Sequence, residues 1–520
     1  MYNQLRILWL RVENALNAPF GQTLNPWYHL GAIAFFLFWV VVVTGIYLYI
    51  FFRTGVRQAY DSVEYLTHAQ RFYGGVMRSM HRYASDGMVA TMLLHMVRNF
   101  ATGRFRNFRW FSWVSGVLLI WLVYACGING YWLVWDRLAQ FIAVATTEWF
   151  GWLPLFSEPP ARTFLLQGDV SDRFFTLLSF AHITLPLVLL LMMWVHTKRI
   201  NSAETSPPRP LAVGTVLMLV ALSLFKPAVS QGQADLALAL NAIQIDWFFL
   251  APYPVLYAAS AGTLWFLVTV VTALLLFAPW LFRRRPAQLP VEVHLDNCNG
   301  CGRCFDDCPY SAIAMQPRQD GRPYELQPAV DASLCASCGI CVGSCPFSMP
   351  FRTTELVSGL ELPELSTALL RAQTDRALAT LHGRPRVVVF GCDRGFDVHA
   401  IRSKTVATVS LPCIGMLPPT FIDYALRNSL ADGVLVTGCR EGDCHFRLGI
   451  QWIEQRLARE RAPYLRQRVP EERLELCWAD APDQDRLSAG LASLRARVGA
   501  LPGNPASEKG ANGDRAQKPS

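Results

Sequence analysis

Residues 77–98 read MRSMHRYASDGMVATMLLHMVR and residues 182–196 read HITLPLVLLLMMWVH. Both lie in apolar stretches able to cross a bilayer as helices, where about 20 residues at 1.5 Å rise span the hydrocarbon. Histidines stand at 81 and 95 in the first and at 182 and 196 in the second, the same interval in each. That interval is close to four helical turns, so each pair projects from one face at two depths about 21 Å apart. Two antiparallel helices marked in this way can clamp two stacked haems. His81 would face His182 on the outer side and His95 would face His196 on the inner side, each iron held by an imidazole from both helices. Gly31 and Gly45, and Gly116 and Gly130, repeat the interval on neighbouring apolar stretches, and glycine removes side chains where macrocycles need room. Arg78 and Arg98, each three residues from a histidine, are placed to meet haem propionates. The competing reading makes the histidines interhelical hydrogen-bond partners and the glycines packing aids, and the shared interval argues against it. No C-x-x-C-H occurs, so covalently attached haem is not expected.

Working outward, apolar stretches fall near Leu30–Phe52, Met80–Val97, Trp113–Val134, Phe174–Val195, Leu211–Ala228 and Val255–Phe282, which predicts six transmembrane helices with a dihaem four-helix core. Arg98, Arg104, Arg106 and Arg109 follow the second span, Lys198, Arg199 and Arg209 the fourth, and Arg283–Arg285 the sixth, whereas Asp136, Glu148, Glu158, Asp169, Asp172, Asp235 and Asp246 lie in the alternate loops. The positive-inside rule puts the basic loops and both termini in the cytoplasm. No cleaved signal peptide is read at the N-terminus. Residues 1–285 carry 21 Lys+Arg against 12 Asp+Glu, and residues 286–520 carry 26 against 27, within a chain that is 52% hydrophobic and 17% charged. The basic surplus belongs to the apolar half and its lipid-facing loops, and no nucleic-acid partner is expected.

Thirteen of the 14 cysteines lie beyond residue 297, a ligand pattern in a reducing compartment rather than a disulfide framework. Cys298-x-x-Cys301-x-x-Cys304-x-x-x-Cys308-Pro309 is followed by Cys335-x-x-Cys338-x-x-Cys341-x-x-x-Cys345-Pro346. Three closely spaced thiolates wrap one cubane, while the fourth, before proline, swings to the other. One [4Fe-4S] cluster is thus assigned Cys298, Cys301, Cys304 and Cys345, the other Cys335, Cys338, Cys341 and Cys308. Tetrahedral zinc is the alternative for C-x-x-C pairs. Strands expected at Arg386–Phe390, Thr405–Leu411, Gly433–Thr437 and Leu474–Cys477 alternate with helices near Pro419–Ser429, Phe446–Glu460 and Asp485–Val498, a small parallel α/β domain. Cys392, Cys413 and Cys439 each follow a strand and Cys444 shares the last loop, so they converge on one sheet edge where a [2Fe-2S] cluster would fit. Cys477, inside its strand, is read as packing.

The fold class expected is therefore multidomain. It comprises a membrane domain at 1–285, an α+β two-cluster ferredoxin-like domain at 286–352, a helical connector at 353–384, the α/β domain at 385–498 and a disordered tail at 499–520.

Asn25 to Trp280 resembles cytochrome b of the bc and bf complexes, through Met77–Arg82, Leu94–Arg98, Gly130-Tyr131-Trp132-Leu133-Val134-Trp135-Asp136 and the His182/His196 helix. The resemblance implies haem ligation by the four histidines, quinone beside each haem, and a homodimer. Ile245-Asp246-Trp247-Phe248 is similar to that family's Pro-Glu-Trp-Tyr motif, which implies that Asp246 exchanges the quinone proton. Tyr28-His29-Leu30-Gly31 has no cysteine for the photosynthetic branch's extra haem. The two cysteine runs resemble bacterial two-cluster ferredoxins. Pro385 to Val498 resembles the iron–sulfur delta subunit of methyl-viologen-reducing hydrogenase, through Leu411-Pro412-Cys413-Ile414-Gly415 and Asp432–His445. That resemblance implies a [2Fe-2S] cluster and a flavin-containing, heterodisulfide-reductase-like partner. Where that family usually has C-x-x-C, this chain has Cys392-Asp393-Arg394-Gly395.

Together the parts predict an oxidoreductase subunit of a respiratory chain. Two b haems, two [4Fe-4S] clusters and a [2Fe-2S] cluster would link membrane quinone to a cytoplasmic flavoprotein or iron–sulfur oxidoreductase. The alternative is a membrane-anchored electron-transfer scaffold for a soluble oxidoreductase, without a quinone site of its own.

Overall fold

The computed structural model describes residues 2–154, 172–200, 203–237, 243–245, 249–282, 289–352 and 356–501. Their contacts divide the chain into two compact units, one formed by Pro26–Lys198 with Ala203–Arg283 and the other by Met1–Asn25, Arg199–Ser202 and Arg284–Ser520. Composition had drawn its boundary at residue 285; by contacts, the first 25 residues group with the C-terminal half.

The chain opens with α1 (Tyr2–Phe20), which belongs to the second unit. The first unit is helical: α2 (Leu30–Phe51), α3 (Gln58–Glu64), α4 (Gly74–Ala101), α5 (Trp110–Val134), α6 (Arg137–Gly151), α7 (Asp172–Thr197), α8 (Arg209–Phe225), α9 (Pro252–Ala258) and α10 (Ala261–Leu281). Among the described residues, four helical stretches have the length and composition to cross a membrane: Pro26–Phe51, Asn107–Val134, Asp172–Thr197 and Ala261–Leu281, while Arg209–Phe225 is apolar but shorter. The 28-residue α4 is set apart by its charges, Arg78, Arg82, Asp86 and Arg98. The apolar stretch expected at 255–282 is broken at Ala259 and Ser260, where the Ser260 hydroxyl accepts the Thr263 amide at 3.1 Å and starts α10. The loop expected at 137–151 is a second departure. It is α6, capped by Asp136, whose carboxylate accepts Ala139 N at 2.9 Å and Gln231 N at 2.9 Å.

In the second unit, β1 (Glu292–Val293) pairs antiparallel with β4 (Leu360–Glu361), and β2 (Ile313–Pro317) with β3 (Leu326–Val330), beside the short helices α11 (Arg303–Asp306) and α12 (Ile340–Ser344). The connector expected to be helical at 353–384 is helical, among its described residues, at α13 (Thr367–Leu378), after contributing β4. Then β5 (Val387–Cys392), β6 (Val406–Leu411), β7 (Gly433–Gly438) and β8 (Leu474–Trp478) form a parallel sheet in the order β6-β5-β7-β8. Helices α14 (Pro419–Leu426), α15 (Gly449–Leu457) and α16 (Gln484–Gly499) supply the cover that a parallel sheet needs on its faces. A single buried core runs through both parts of this unit, from Val291, Cys308, Val342 and Leu360 to Phe390, Met416 and Ile453. Helix α1 docks on the α/β part: Arg6 pairs with Asp480 at 2.8 Å, Arg440 donates to Leu10 O at 3.1 Å, and Leu10 is buried.

Candidate cofactor sites

In the helical unit, His81 on α4 and His182 on α7 face each other with ring centroids 6.3 Å apart. Two metal–nitrogen bonds of about 2 Å, plus roughly 1 Å from each nitrogen to its ring centre, require a separation of about 6 Å across one metal. The residues therefore fit an iron held between two imidazoles. The other ring nitrogens are engaged by neighbouring helices. His81 Nδ1 lies 3.0 Å from Val41 O on α2, and His182 Nδ1 lies 3.1 Å from Cys126 O on α5. A carbonyl at Nδ1 fixes that nitrogen as the N–H and leaves Nε2 its lone pair for a metal.

Both carbonyls come four residues before a glycine, and that explains the glycines. A Cβ at Gly45 would stand 3.0 Å from His81 Cε1, and one at Gly130 would stand 2.9 Å from His182 Cε1. At the other level, Gly31 and Gly116 bring theirs to 3.1 Å from His95 Cε1 and 3.3 Å from His196 Cε1. So α2 backs the histidines of α4, and α5 those of α7. Sequence reading gave the glycines to the macrocycle, whereas in the structure each first makes room for an imidazole edge. His95 lies within electrostatic range of His196, and Ser115 Oγ sits 2.9 Å from His196 Nδ1. The Asn99 amide is 3.1 Å from His95 Nε2, so a metal at that nitrogen would replace it.

Arg78 donates to Ser230 Oγ at 2.8 Å, to Thr67 Oγ1 and to Glu64. A propionate would have to share this guanidinium with those three. Arg98 is buried with its guanidinium over the Tyr28 ring, 5.3 Å from the centroid. Asp246 lies outside the described residues. Just after it, Phe249 is buried so closely on Gly127 that a Cβ there would come within 2.2 Å of its ring. Sequence reading missed Arg82 and Asp86, paired at 3.2 Å with Arg82 also 4.6 Å from the Tyr131 ring centroid. Two opposite charges one turn apart in an apolar stretch were the available signal.

In the second unit, Cys298, Cys301, Cys304 and Cys345 line one cavity, walled by Met315, Pro328, Phe347 and Leu360. Cys308, Cys335, Cys338 and Cys341 form a second group, within electrostatic range of one another. The structure thus brings Cys345 to the first run and Cys308 to the second. The runs fold as near copies: Gly302 and Gly339, each after a second cysteine, have φ of 76° and 75°, and Gly300 and Ser337, each before it, have φ of 68° and 51°. Gly300 N points to Cys298 Sγ at 3.4 Å and Ala312 N to Cys308 Sγ at 3.3 Å. Burial pushes the Cys304 thiol up to about 12 and raises Cys338 and Cys341 well above the ordinary range. Such thiols keep their protons until a metal replaces them.

The strand ends bring the other four together. Cys392 hydrogen-bonds Cys439, Cys439 contacts Cys444, and Cys444 contacts Cys413; Cys392, Cys439 and Cys413 are buried and Cys444 is half-buried. The bond to Cys439, and then burial, hold the Cys392 thiol well above its usual range. A Cβ at Gly449 would stand 2.3 Å from Cys413 Sγ, so glycine there opens the floor of the site. Cys477 stays apart, its thiol directed to Arg486 O at 3.6 Å. Beside Cys439, the buried Arg440 makes a two-pronged bond to Asp483 at 2.7 and 3.0 Å.

Three segments of the chain match known families. Residues 15–203 match the family described as cytochrome b/b6/petB, residues 297–349 the 4Fe-4S dicluster domain, and residues 387–501 the methyl-viologen-reducing hydrogenase delta subunit. Cytochrome b6 of Porphyra purpurea is 34% identical over 190 residues, covering 35% of this chain and 86% of that protein. A solved structure, the hyperthermophilic respiratory Complex III, superposes with a TM-score of 0.42 at 19% identity, covering 49% of this chain and 75% of that chain.

Proposed function

Because the chain belongs to the cytochrome b/b6 family, with a 4Fe-4S dicluster domain and a hydrogenase delta-subunit domain behind it, we propose that it links membrane quinone to a soluble redox partner. Membrane electron transfer with b-type haem and iron–sulfur clusters is the general role of such a chain. In the specific reading, His81 with His182 and His95 with His196 hold two haems. The two interlaced cysteine sets hold two [4Fe-4S] clusters, and Cys392, Cys413, Cys439 and Cys444 hold a [2Fe-2S] cluster. The observation that carries it is the His81–His182 pair at 6.3 Å, each ring held by a carbonyl of a neighbouring helix.

These cofactors supply one-electron chemistry at potentials set by their surroundings. The protein supplies ligands, the carbonyls that orient the imidazoles, and the apolar cover that excludes water. Asp246 exchanges the quinone proton in this reading, and a flavoprotein or iron–sulfur oxidoreductase docks on the soluble unit. The membrane part associates as a homodimer by analogy with its family. Both termini face the cytoplasm. Support for placing them on one side comes from the second unit, which joins residues before the first apolar helix to residues after the last. An even number of crossings, such as six, satisfies that arrangement. The basic loops then select the cytoplasmic side.

The substitutions in Ile245-Asp246-Trp247-Phe248 favour a second reading, a membrane-anchored scaffold with no quinone site of its own. Anaerobically purified protein mixed with a reduced quinol analogue, followed by haem absorbance and then cluster EPR, separates the two. Inhibitor-sensitive haem reduction followed by cluster reduction is expected. Haems that reduce with dithionite but never with quinols spanning their potentials would leave the scaffold.

A further inference from the structure

The guanidinium of Arg456 is fully buried, 0% exposed, inside the second unit. It reaches from α15 to three acceptors: Gly415 O at 2.8 Å, Ser344 Oγ at 2.7 Å and the Asp307 carboxylate. Each neighbours a different candidate ligand set. Asp307 precedes Cys308, Ser344 precedes Cys345, and Gly415 lies two residues beyond Cys413. Asp307 gathers the knot further, taking Ser344 Oγ at 2.5 Å on one oxygen and Arg461 Nε at 2.7 Å on the other. Trp452 Nε1 donates to its backbone carbonyl at 3.1 Å, and Arg461 stacks over the Trp452 ring at 3.5 Å.

The surfaces meeting around this ion have no spare room. A Cβ at Gly343 would stand 2.3 Å from Gly415 O, and one at Gly339 would stand 2.5 Å from Met416 Sδ. Cys338 and Cys413 are within electrostatic range across this junction. A knot of two guanidiniums and one carboxylate leaves a net positive charge, placed where thiolate-bound clusters would carry negative charge. A buried cation stabilises a cluster's reduced form, the more negative one, and so raises its potential.

We propose that Arg456 is the positioning residue for electron passage between the dicluster domain and the four-thiol site. Its planar fork fixes the Cys308, Cys345 and Cys413 loops against one another, and its charge raises the potential of the neighbouring cluster. One electron crosses per event, oxidising one centre and reducing the other, with no bond made or broken. This inference rests on the reading that both cysteine groups hold iron–sulfur clusters.

The test uses full-length protein carrying Arg456→Met or Arg456→Lys, with iron content measured first. Potentials are read by EPR-monitored titration, and hydrogen exchange is followed at residues 340–344 and 414–417. Arg456→Met is expected to shift a dicluster potential negative and to raise exchange in both segments at least tenfold. Arg461 still pairs Asp307 in that variant, so the carboxylate keeps a partner. Arg456→Lys keeps the charge and loses the fork, so exchange should rise while the potential holds. Arg456→Met with native iron, potentials and exchange would overturn the proposal. If that variant does not accumulate, Ser344→Ala removes one arm alone. A severalfold rise in exchange at 340–344 with unmoved potentials supports the proposal, and no rise overturns it. Should wild type lack any iron–sulfur signal beyond the dicluster, the four-thiol reading fails and Arg456 loses its proposed acceptor, while the shift in dicluster potential still decides its electrostatic role.

Discussion

His182 reaches its site from the middle of a 26-residue helix, set by the carbonyl of Cys126 and the bare backbone of Gly130 on α5. Cys341 sits in a five-residue helix, every residue of which is buried, beside Cys308, Cys335 and Cys304. In the first case, packing among residues such as Phe38, Met88, Val123 and Leu189 builds the scaffold without help from the ligands. In the second, candidate ligands are part of the core: Cys304, Cys308 and Cys341 belong to the buried cluster itself. A domain of that size is marginal on its own apolar burial, so what its cysteines hold should weigh heavily in its stability. Losing a ligand should therefore be a local event in the bundle and a collective one in the dicluster domain.

The largest contrast follows directly. Cys341→Ala should cost both [4Fe-4S] clusters, because the interlaced runs fold around them together. His182→Ala should remove one haem, about half of the reduced-minus-oxidised absorbance, and leave the iron–sulfur EPR intact. Metal and haem analysis of the two variants checks this. One surviving cluster in the first variant, or two lost haems in the second, would break the contrast.

Asp307→Asn comes next, since it leaves Arg456 and Arg461 together with no carboxylate between them. Removing one partner of a buried charge group costs about 3–5 kcal/mol, so the clusters should bleach at markedly lower urea while the haem spectrum persists. An unchanged bleaching midpoint would count against the knot as a structural element. The glycines should give a finer gradation. Gly130→Ala forces a Cβ to 2.9 Å from His182, whereas Gly116→Ala forces one only to 3.3 Å from His196. Overpacking of this kind costs about 1–3 kcal/mol, and Gly130→Ala should lose its haem band at the lower temperature. Equal losses would mean that the macrocycle, rather than the imidazole, needs the space.

The same contrast governs what could be read from sequence. The groups that converge were legible in both units, because helical spacing singles out His81/His95 and His182/His196 and the two C-x-x-C runs single out the cysteines that the fold brings together. The four strands were legible to within a residue or two because parallel strands buried on both faces read as apolar runs such as Val387–Phe390. Long-range partners were not. Nothing local announces that Val41 O and Cys126 O take the histidine nitrogens, since a backbone acceptor has no residue type. Arg456 reads as a surface charge on an amphipathic helix, and its burial depends on Asp307, nearly 150 positions earlier. Helix α1 was assigned by proximity in sequence to the membrane half, while Arg6 and Leu10 find their partners at Asp480 and Arg440.

Asp423 offers the smallest effect, and one confined to the second unit. Burial would raise its carboxyl, but the hydrogen bond and charge of Arg468, then Arg466 and Arg427, outweigh it and hold the group below its usual range. A carboxylate with its folded pKa below the unfolded value of about 3.9 contributes its full stability above that pH, and loses it as pH falls through the folded pKa. Arg466 and Arg468 are partly exposed, at 35% and 46% of their side chains, so solvent screening should hold the contribution to about 1 kcal/mol or less. Asp423→Asn should therefore lower cluster-bleaching stability slightly at neutral pH, with the difference from wild type shrinking below about pH 4. The haem bands serve as the internal control, because Asp423 is outside the helical unit. A difference that grew on acidification would mean that the arginines do not hold this carboxylate ionised.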